Sequence, residues 1–194
     1  PETRERHQME LGLQMAIGVP LQAVRGWSHP ENVQTYERAR ELASRIGESP
    51  ELPQVLAALS GVYAIKGELA TAAEVAREAL AAAERTGDAF ALLSAHNQVG
   101  LPLFHQGDFW RALQHFEQSF RLYNLSEHGS LAYAAGWDRG VNAQGYAGDC
   151  QSYLGHPDRA LAVSAAALAL AKRVEHPLSL ADALLHAGTV HIER

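Results

Sequence analysis

Residues 56–80 read L-A-A-L-S-G-V-Y-A-I-K-G-E-L-A-T-A-A-E-V-A-R-E-A-L. Leu56, Leu59 and Tyr63 recur at steps of three and four, the spacing of one helical face. Gly67 interrupts that helix, and Ala72, Val75, Ala76, Ala79 and Leu80 mark the inward face of a second one. The same order returns forty residues on as His96, Val99, Gly100, Leu103, Gly107, Ala112, Phe116 and Phe120. A helix–turn–helix unit that recurs at fixed period predicts an all-α solenoid of antiparallel helix pairs.

The turns carry the rhythm outward from this stretch. Gly47, Gly67, Gly87 and Gly107 are each 20 residues apart. Glycine relaxes the left-handed residue that ends a helix, and Asp88 and Asp108 directly after two of them are good caps for the next. Ser28-His29-Pro30 and Ser49-Pro50-Glu51 read as helix starts with a capping hydroxyl and a first-turn proline. Before them, 2–25 is expected to be helical with a kink or break at Gly18 and Pro20. Helix two is expected to end near Ile46, with Val33, Tyr36, Ala39, Leu42 and Ala43 inward. The rhythm fails once, because Gly155 lies 48 residues after Gly107. About eight residues are therefore inserted between Ser126 and Gly140, against a period of about forty. His156-Pro157-Asp158 and His176-Pro177 open the last two of about nine helices. The chain opens at Pro1 and closes on Ile192-Glu193-Arg194 in mid-pattern, as one helical-repeat domain over 1–194 cut from a longer polypeptide would. Leu180, Leu184 and Ile192 then lack a following helix, and a second copy of the chain, giving a homodimer, is one way to cover them.

Composition narrows the function. The net charge is -6 and the pI about 5.9, with no basic stripe, which excludes an ordinary nucleic-acid binder. No apolar run has the length of a membrane span. Cys150 is the single cysteine, so no intrachain disulfide forms, and a reducing, cytoplasmic setting fits.

Three units resemble tetratricopeptide repeats. They are Leu56, Leu59, Ser60, Tyr63, Gly67, Ala72, Ala76, Ala79; then His96, Val99, Gly100, Leu103, Gly107, Ala112, Phe116, Ser119; then Gln144, Ala147, Gly148, Gln151, Gly155, Ala160, Ser164, Ala167. The resemblance implies a right-handed superhelix whose first helices line the concave side. Small residues such as Gly100, Gly148 and Ala112 are expected where two helices nearly touch. Tyr36-Glu37-Arg38-Ala39-Arg40-Glu41-Leu42, Lys66-Gly67-Glu68-Leu69, Gly107-Asp108-Phe109, Asp138-Arg139-Gly140-Val141 and Leu154-Gly155-His156-Pro157-Asp158-Arg159-Ala160-Leu161 resemble one subgroup more closely. It is the C-terminal helical region of large bacterial signalling ATPases, often fused to adenylate or guanylate cyclase domains and related to maltose-activator-type regulators. In that subgroup the fourth stretch commonly reads D-P-G-V, and Arg139 departs from it. No ATPase or cyclase motif is present, so neither activity is assigned to this chain.

Chemistry is weakly signalled. Among ten histidines, His186 and His191 lie about 140° apart around a helix, poor for one metal. His105 and His115 flank a turn without a carboxylate or thiolate to complete a set. Cys150 sits in mid-helix among small residues, as an inert core cysteine does. No catalytic residue, metal or cofactor is expected.

The concave positions are more informative. With the repeats in register they are Gln54, Ala57, Ala58 and Gly61, then Asn97, Gln98, Phe104 and His105, then Asn142, Tyr146, Asp149 and Tyr153, and last Asp182, His186 and Thr189. Amides, a carboxylate and rings suit a peptide or a small polar ligand. No lysine or arginine falls on these positions, which argues against a clamp for an acidic tail. Tyr133, Trp137 and Asp138 in the insertion form a lip over the groove, or pack. The first reading is a non-enzymatic protein–protein interaction module of a bacterial signalling protein, binding a peptide segment or the upstream ATPase or cyclase domains of the same chain. The alternative is a small-molecule sensor that regulates such an attached module.

Overall fold

A computed structural model describes residues 3–47 and 49–192. Pro1, Glu2, Glu193 and Arg194, which the sequence reading places at the two ends of the pattern, lie outside the described residues. Among the described residues there is no strand, and nine helices exceed one short turn. They are α1 (Arg4–Arg25), α2 (Pro30–Ile46), α3 (Leu52–Ile65), α4 (Leu69–Thr86), α5 (Ala89–His105), α6 (Phe109–Leu122), α7 (Arg139–Tyr153), α8 (Pro157–Val174) and α9 (Pro177–Ile192). Consecutive helices pack as hairpins, α1 on α2 through α7 on α8, and α9 lies against both α7 and α8. The first helices of successive hairpins also touch, α3 on α5 and α7 on α9, which creates one continuous inner face.

The glycine rhythm is real in backbone terms. Gly47, Gly67, Gly87 and Gly107 have φ of 90°, 81°, 67° and 83°, a region where a Cβ is strained. Asp88 accepts from Ala91 N at 2.7 Å and Asp108 from Arg111 N at 3.2 Å, so both cap as expected. Between α8 and α9 the left-handed position falls to Glu175 instead, with φ 58°.

Alanines set the helix spacing. Ala72, Ala76, Ala79, Ala112 and Ala160 are fully buried, and larger side chains fill between them. An added Cβ at Gly100 would lie 2.6 Å from the Phe116 ring, so Gly100 exists to admit that ring. Fully burying Phe116 itself contributes about 2–3 kcal/mol. Repeat positions held by serine close buried carbonyls: Ser60 Oγ donates to Ala72 O at 2.9 Å and Ser119 Oγ to Leu93 O at 2.8 Å.

Three local expectations are corrected. Helix α1 runs through Gly18 and Pro20 without the break that is one of the two expectations there, and Gly18 is a contact site where a Cβ would meet the Tyr36 hydroxyl. The α2 cap is His29, whose Nδ1 accepts from Glu31 N at 3.3 Å, and not Ser28. Helix α3 begins after Glu51 with no side-chain cap, and Ser49 Oγ bonds the Glu51 carboxylate instead.

Candidate functional site

The inserted segment decides the character of the concave side. It folds as three short helical turns, Leu125–His128, Gly129–Leu131 and Ala132–Ala135, and then runs back toward the N-terminal hairpin. The Trp137 ring stacks on Trp27, between α1 and α2, at 4.1 Å between centres. Gly136 lies beside Val19 and Gln22 of α1. Toward the other end, Asp138 N donates to Ser179 Oγ at 2.8 Å, and the Tyr133 ring meets His176 edge-on at 4.7 Å. The segment thus touches both α1 and α9 and works as a strut across the inside of the superhelix.

Each lip residue has a different place in this strut. Trp137 is half-buried in its stack. Asp138 is buried, caps α7 through Val141 N at 2.8 Å, and accepts from Tyr123 Oη at 2.7 Å. Burial pushes the Asp138 carboxyl up, against the lowering effect of those donors. Tyr133 stands outside, 66% exposed.

The groove residues lie deeper than their register suggests. Asn97, Gln98, Asn142, Asp149 and His186 are buried between helices rather than presented to solvent. His186 Nδ1 is 2.6 Å from Asp149 Oδ2, its Nε2 is 3.6 Å from Asp182 Oδ1, and Asn142 Nδ2 donates to Asp182 Oδ2 at 2.9 Å. Burial alone would depress His186, but hydrogen bonds to both carboxylates more than reverse it and raise the imidazole above its ordinary value. The rings of Phe104, Tyr146 and Tyr153, which register places on the concave side, pack on one another and across the junction between adjacent repeats. Tyr146 stacks on Phe116 at 5.2 Å, Tyr153 stacks on Phe109 at 4.5 Å, and Phe104 meets Phe109 and Tyr146 edge-on. Such ring pairs add about 0.5–1.5 kcal/mol each to the packing. Of the predicted concave set, Gln54, His105 and Tyr153 are exposed, and Ala58, Phe104, Tyr146, Asp182 and Thr189 are half-buried.

Beneath the strut a cavity of about 310 Å³ remains. Met15 and Val19 of α1, Ala57 and Ala58 of α3, Phe90 of α5 and Leu131 of the insertion supply apolar wall. Ser94, Asp88 and Arg139 supply polar atoms. Arg139 is the residue that sequence reasoning missed. It opens α7, is 8% exposed, and its Nε and Nη1 have no hydrogen-bond partner. Burial lowers the guanidinium to about 10, with the Tyr36 hydroxyl and Asp138 pulling the other way. Its signal in the sequence was the departure from D-P-G-V: an arginine where the resembling subgroup has the proline suited to a first helical turn. The concave repeat positions themselves carry no lysine or arginine; the cation arrives from the insertion, outside the repeat register.

Cys150 is fully buried, and burial with the neighbouring Asp149 pushes its thiol up to about 12. His115 pairs with His96 at 3.1 Å between Nδ1 atoms, and not with His105. Among the described residues no group of three or more histidine, cysteine or acidic side chains is placed to hold a metal. No helix among them is long and apolar enough to cross a membrane.

Solved structures share this architecture. The fold is that of TPR-like repeat proteins. A putative kinesin light chain with nearly identical TPR-like repeats from Podosopora anserina aligns over 100% of this chain and 89% of its own, at TM-score 0.66 and 17% identity. A point variant of that protein aligns over 94% and 85%, at TM-score 0.65 and 16% identity. BtubC (BKLC) from P. vanneervenii aligns over 100% and 85%, at TM-score 0.60 and 15% identity. No family model and no curated protein matches the chain. At these identities the likeness concerns the fold, and the repeat units quoted above are where it resides in the sequence.

Proposed function

We propose that this chain is a non-enzymatic interaction module of a regulatory protein, which holds a small ligand beneath its inserted strut and meets protein partners on its outer helices. The observation that carries the ligand half is the strut itself. It touches α1 on one side and α9 on the other and leaves a cavity of about 310 Å³ under its middle. A guest there contacts α1, α3, α5 and the insertion at once, so its binding energy acts on the relative placement of the hairpins. An extended peptide would have to displace the strut to reach Gln98, which shares a small space with Ala135 and Trp137, and this favours the sensor form over a continuous peptide groove.

The partner half has its own support. Met9, Leu13, Ile17 and Val24 line one face of α1 and are 50–80% exposed. Leu184, Leu185 and Ile192 of α9 are 53%, 67% and 87% exposed. Contiguous exposed apolar rows of this kind mark sites of protein contact. In the signalling proteins the sequence resembles, an attached ATPase, cyclase or regulator domain would be the partner. A thermal-shift screen of charged and neutral metabolites, repeated on Ala58→Leu to fill the cavity, tests the ligand half. Ligands that stabilise the unsubstituted protein and lose their effect in Ala58→Leu support it. A screen with no such ligand counts against it.

A further inference from the structure

The chemical class of the guest follows from Arg139, given the reading of the cavity as a ligand site. A buried guanidinium is tolerated where an acceptor or a counter-charge meets it. Among the described residues Arg139 has no ion pair, and Nε and Nη1 find no acceptor. Its sequence neighbour Asp138 has its carboxylate turned to Tyr123 Oη and to the backbone N–H of Val141. What the protein does give the guanidinium is the face of Trp137, with Cζ 5.3 Å from the ring centre. That ring orients a planar cation without neutralising it. Trp137 is in turn stacked on Trp27.

Arg139 also borders a small space shared with Tyr36 and with Gln98, whose Oε1 is itself without a partner, but its larger open neighbour is the cavity. Ser94 lines it too, and the Ser94 hydroxyl is likewise buried and without a partner. Gln54, Asp88 and Tyr36 also border the space, and most of the rest is alkyl or aromatic surface from Met15, Val19, Ala58, Phe90 and Leu131. We propose that the cavity is the site of a small organic monocarboxylate, its carboxylate on Arg139 and its compact apolar body against α1, α3 and α5. A carboxylate matches one guanidinium through two parallel hydrogen bonds. A phosphate dianion is the poorer fit, because a single cation faces it and the Asp88 carboxylate shares the lining. The space is at the small end of ligand sites, which limits the body to a short aliphatic chain or one ring.

The test uses sodium hexanoate and sodium benzoate, their neutral isosteres hexanamide and benzamide, and sodium phosphate. Each is titrated into the unsubstituted protein, Arg139→Gln and Ala58→Leu, with thermal shift and the Arg139 Nε–H NMR signal as readouts. Expected are a rise in melting temperature and a displaced Nε–H signal with the acids, binding at least tenfold weaker for the amides, and loss of that discrimination in Arg139→Gln. The NMR signal is read in the unsubstituted protein, so the outcome does not depend on the variant folding. Acid and amide binding equally well, both lost in Ala58→Leu, would overturn the carboxylate assignment while leaving the cavity a ligand site. Phosphate alone moving the signal would overturn it as well. No probe binding in any arm would overturn the proposal, and Arg139→Gln less stable than the parent would then make the guanidinium purely structural.

Discussion

Raising the pH from neutral toward 9 should weaken this fold through one buried pair. His186 and Asp149 have side chains 7% and 6% exposed and meet at 2.6 Å, with Asp182 at 3.6 Å on the other ring nitrogen. Tyr146 covers the imidazole at 4.5 Å, and Gly145 leaves the room it needs, since a Cβ there would run into the ring. Burial opposes the proton, the two carboxylates retain it, and the group is raised from 6.5 to about 9. The sign follows from linkage. The native state holds a proton that the unfolded chain releases near 6.5, so the stabilisation is complete below 6.5 and is lost as the pH rises through about 9. At about 1.4 kcal/mol per tenfold change in proton affinity, the loss approaches about 3 kcal/mol as an upper figure. Urea unfolding at pH 6.5, 7.5 and 9 measures it directly. His186→Gln should be less stable at every pH, since it leaves Asp149 buried without its cation, and its profile over this window should be flat. Parallel profiles for parent and variant between pH 6.5 and 9 would refute the reasoning. His96, His105 and His115 are lowered by burial and act in the opposite direction below 6.5, outside the window.

Gly100→Ala should lose about 1–3 kcal/mol in urea unfolding, because the new methyl enters the Phe116 ring; an unchanged midpoint would refute the contact. Tyr146→Ala combined with Asp149→Ala should cost at least about 3 kcal/mol, as a core ring and a buried charge partner are lost together, whereas surface sites would cost under about 1 kcal/mol. Cys150 should resist a thiol reagent in the native protein and react at the rate of unfolding, which a comparison with and without urea would show.

Much of the fold was legible along the chain because its signals are local. A left-handed turn favours glycine, so Gly47, Gly67, Gly87 and Gly107 announce their hairpins by spacing alone. Helix faces follow from period, which is why Val33, Tyr36, Ala39, Leu42 and Ala43 are all buried as expected. The open apolar face of α9 was legible for the same reason, with Leu184 and Ile192 exposed and Leu180 half-buried. The matching row on α1 was readable by the same spacing and was overlooked.

The candidate site was legible only in outline. Register places Asn97, Asn142, Asp149 and His186 on first helices, but it cannot say how closely neighbouring first helices approach. Alanine-rich hairpins close that gap, and the side chains meet one another: His186 finds Asp149 at a separation of 37 residues. Arg139 was harder still, since it belongs to no repeat position and its surroundings come from α1, α2, α3 and α5. The chain by itself determined the helices, their turns and their pairing, because each depends on residues a few positions apart. Only the tertiary structure decided that the insertion crosses the inner face, that the expected groove residues are interior, and that an unpaired guanidinium lines the space left over. Those outcomes depend on distances between segments up to 120 residues apart, from Val19 to Arg139, which the local pattern of neither segment encodes.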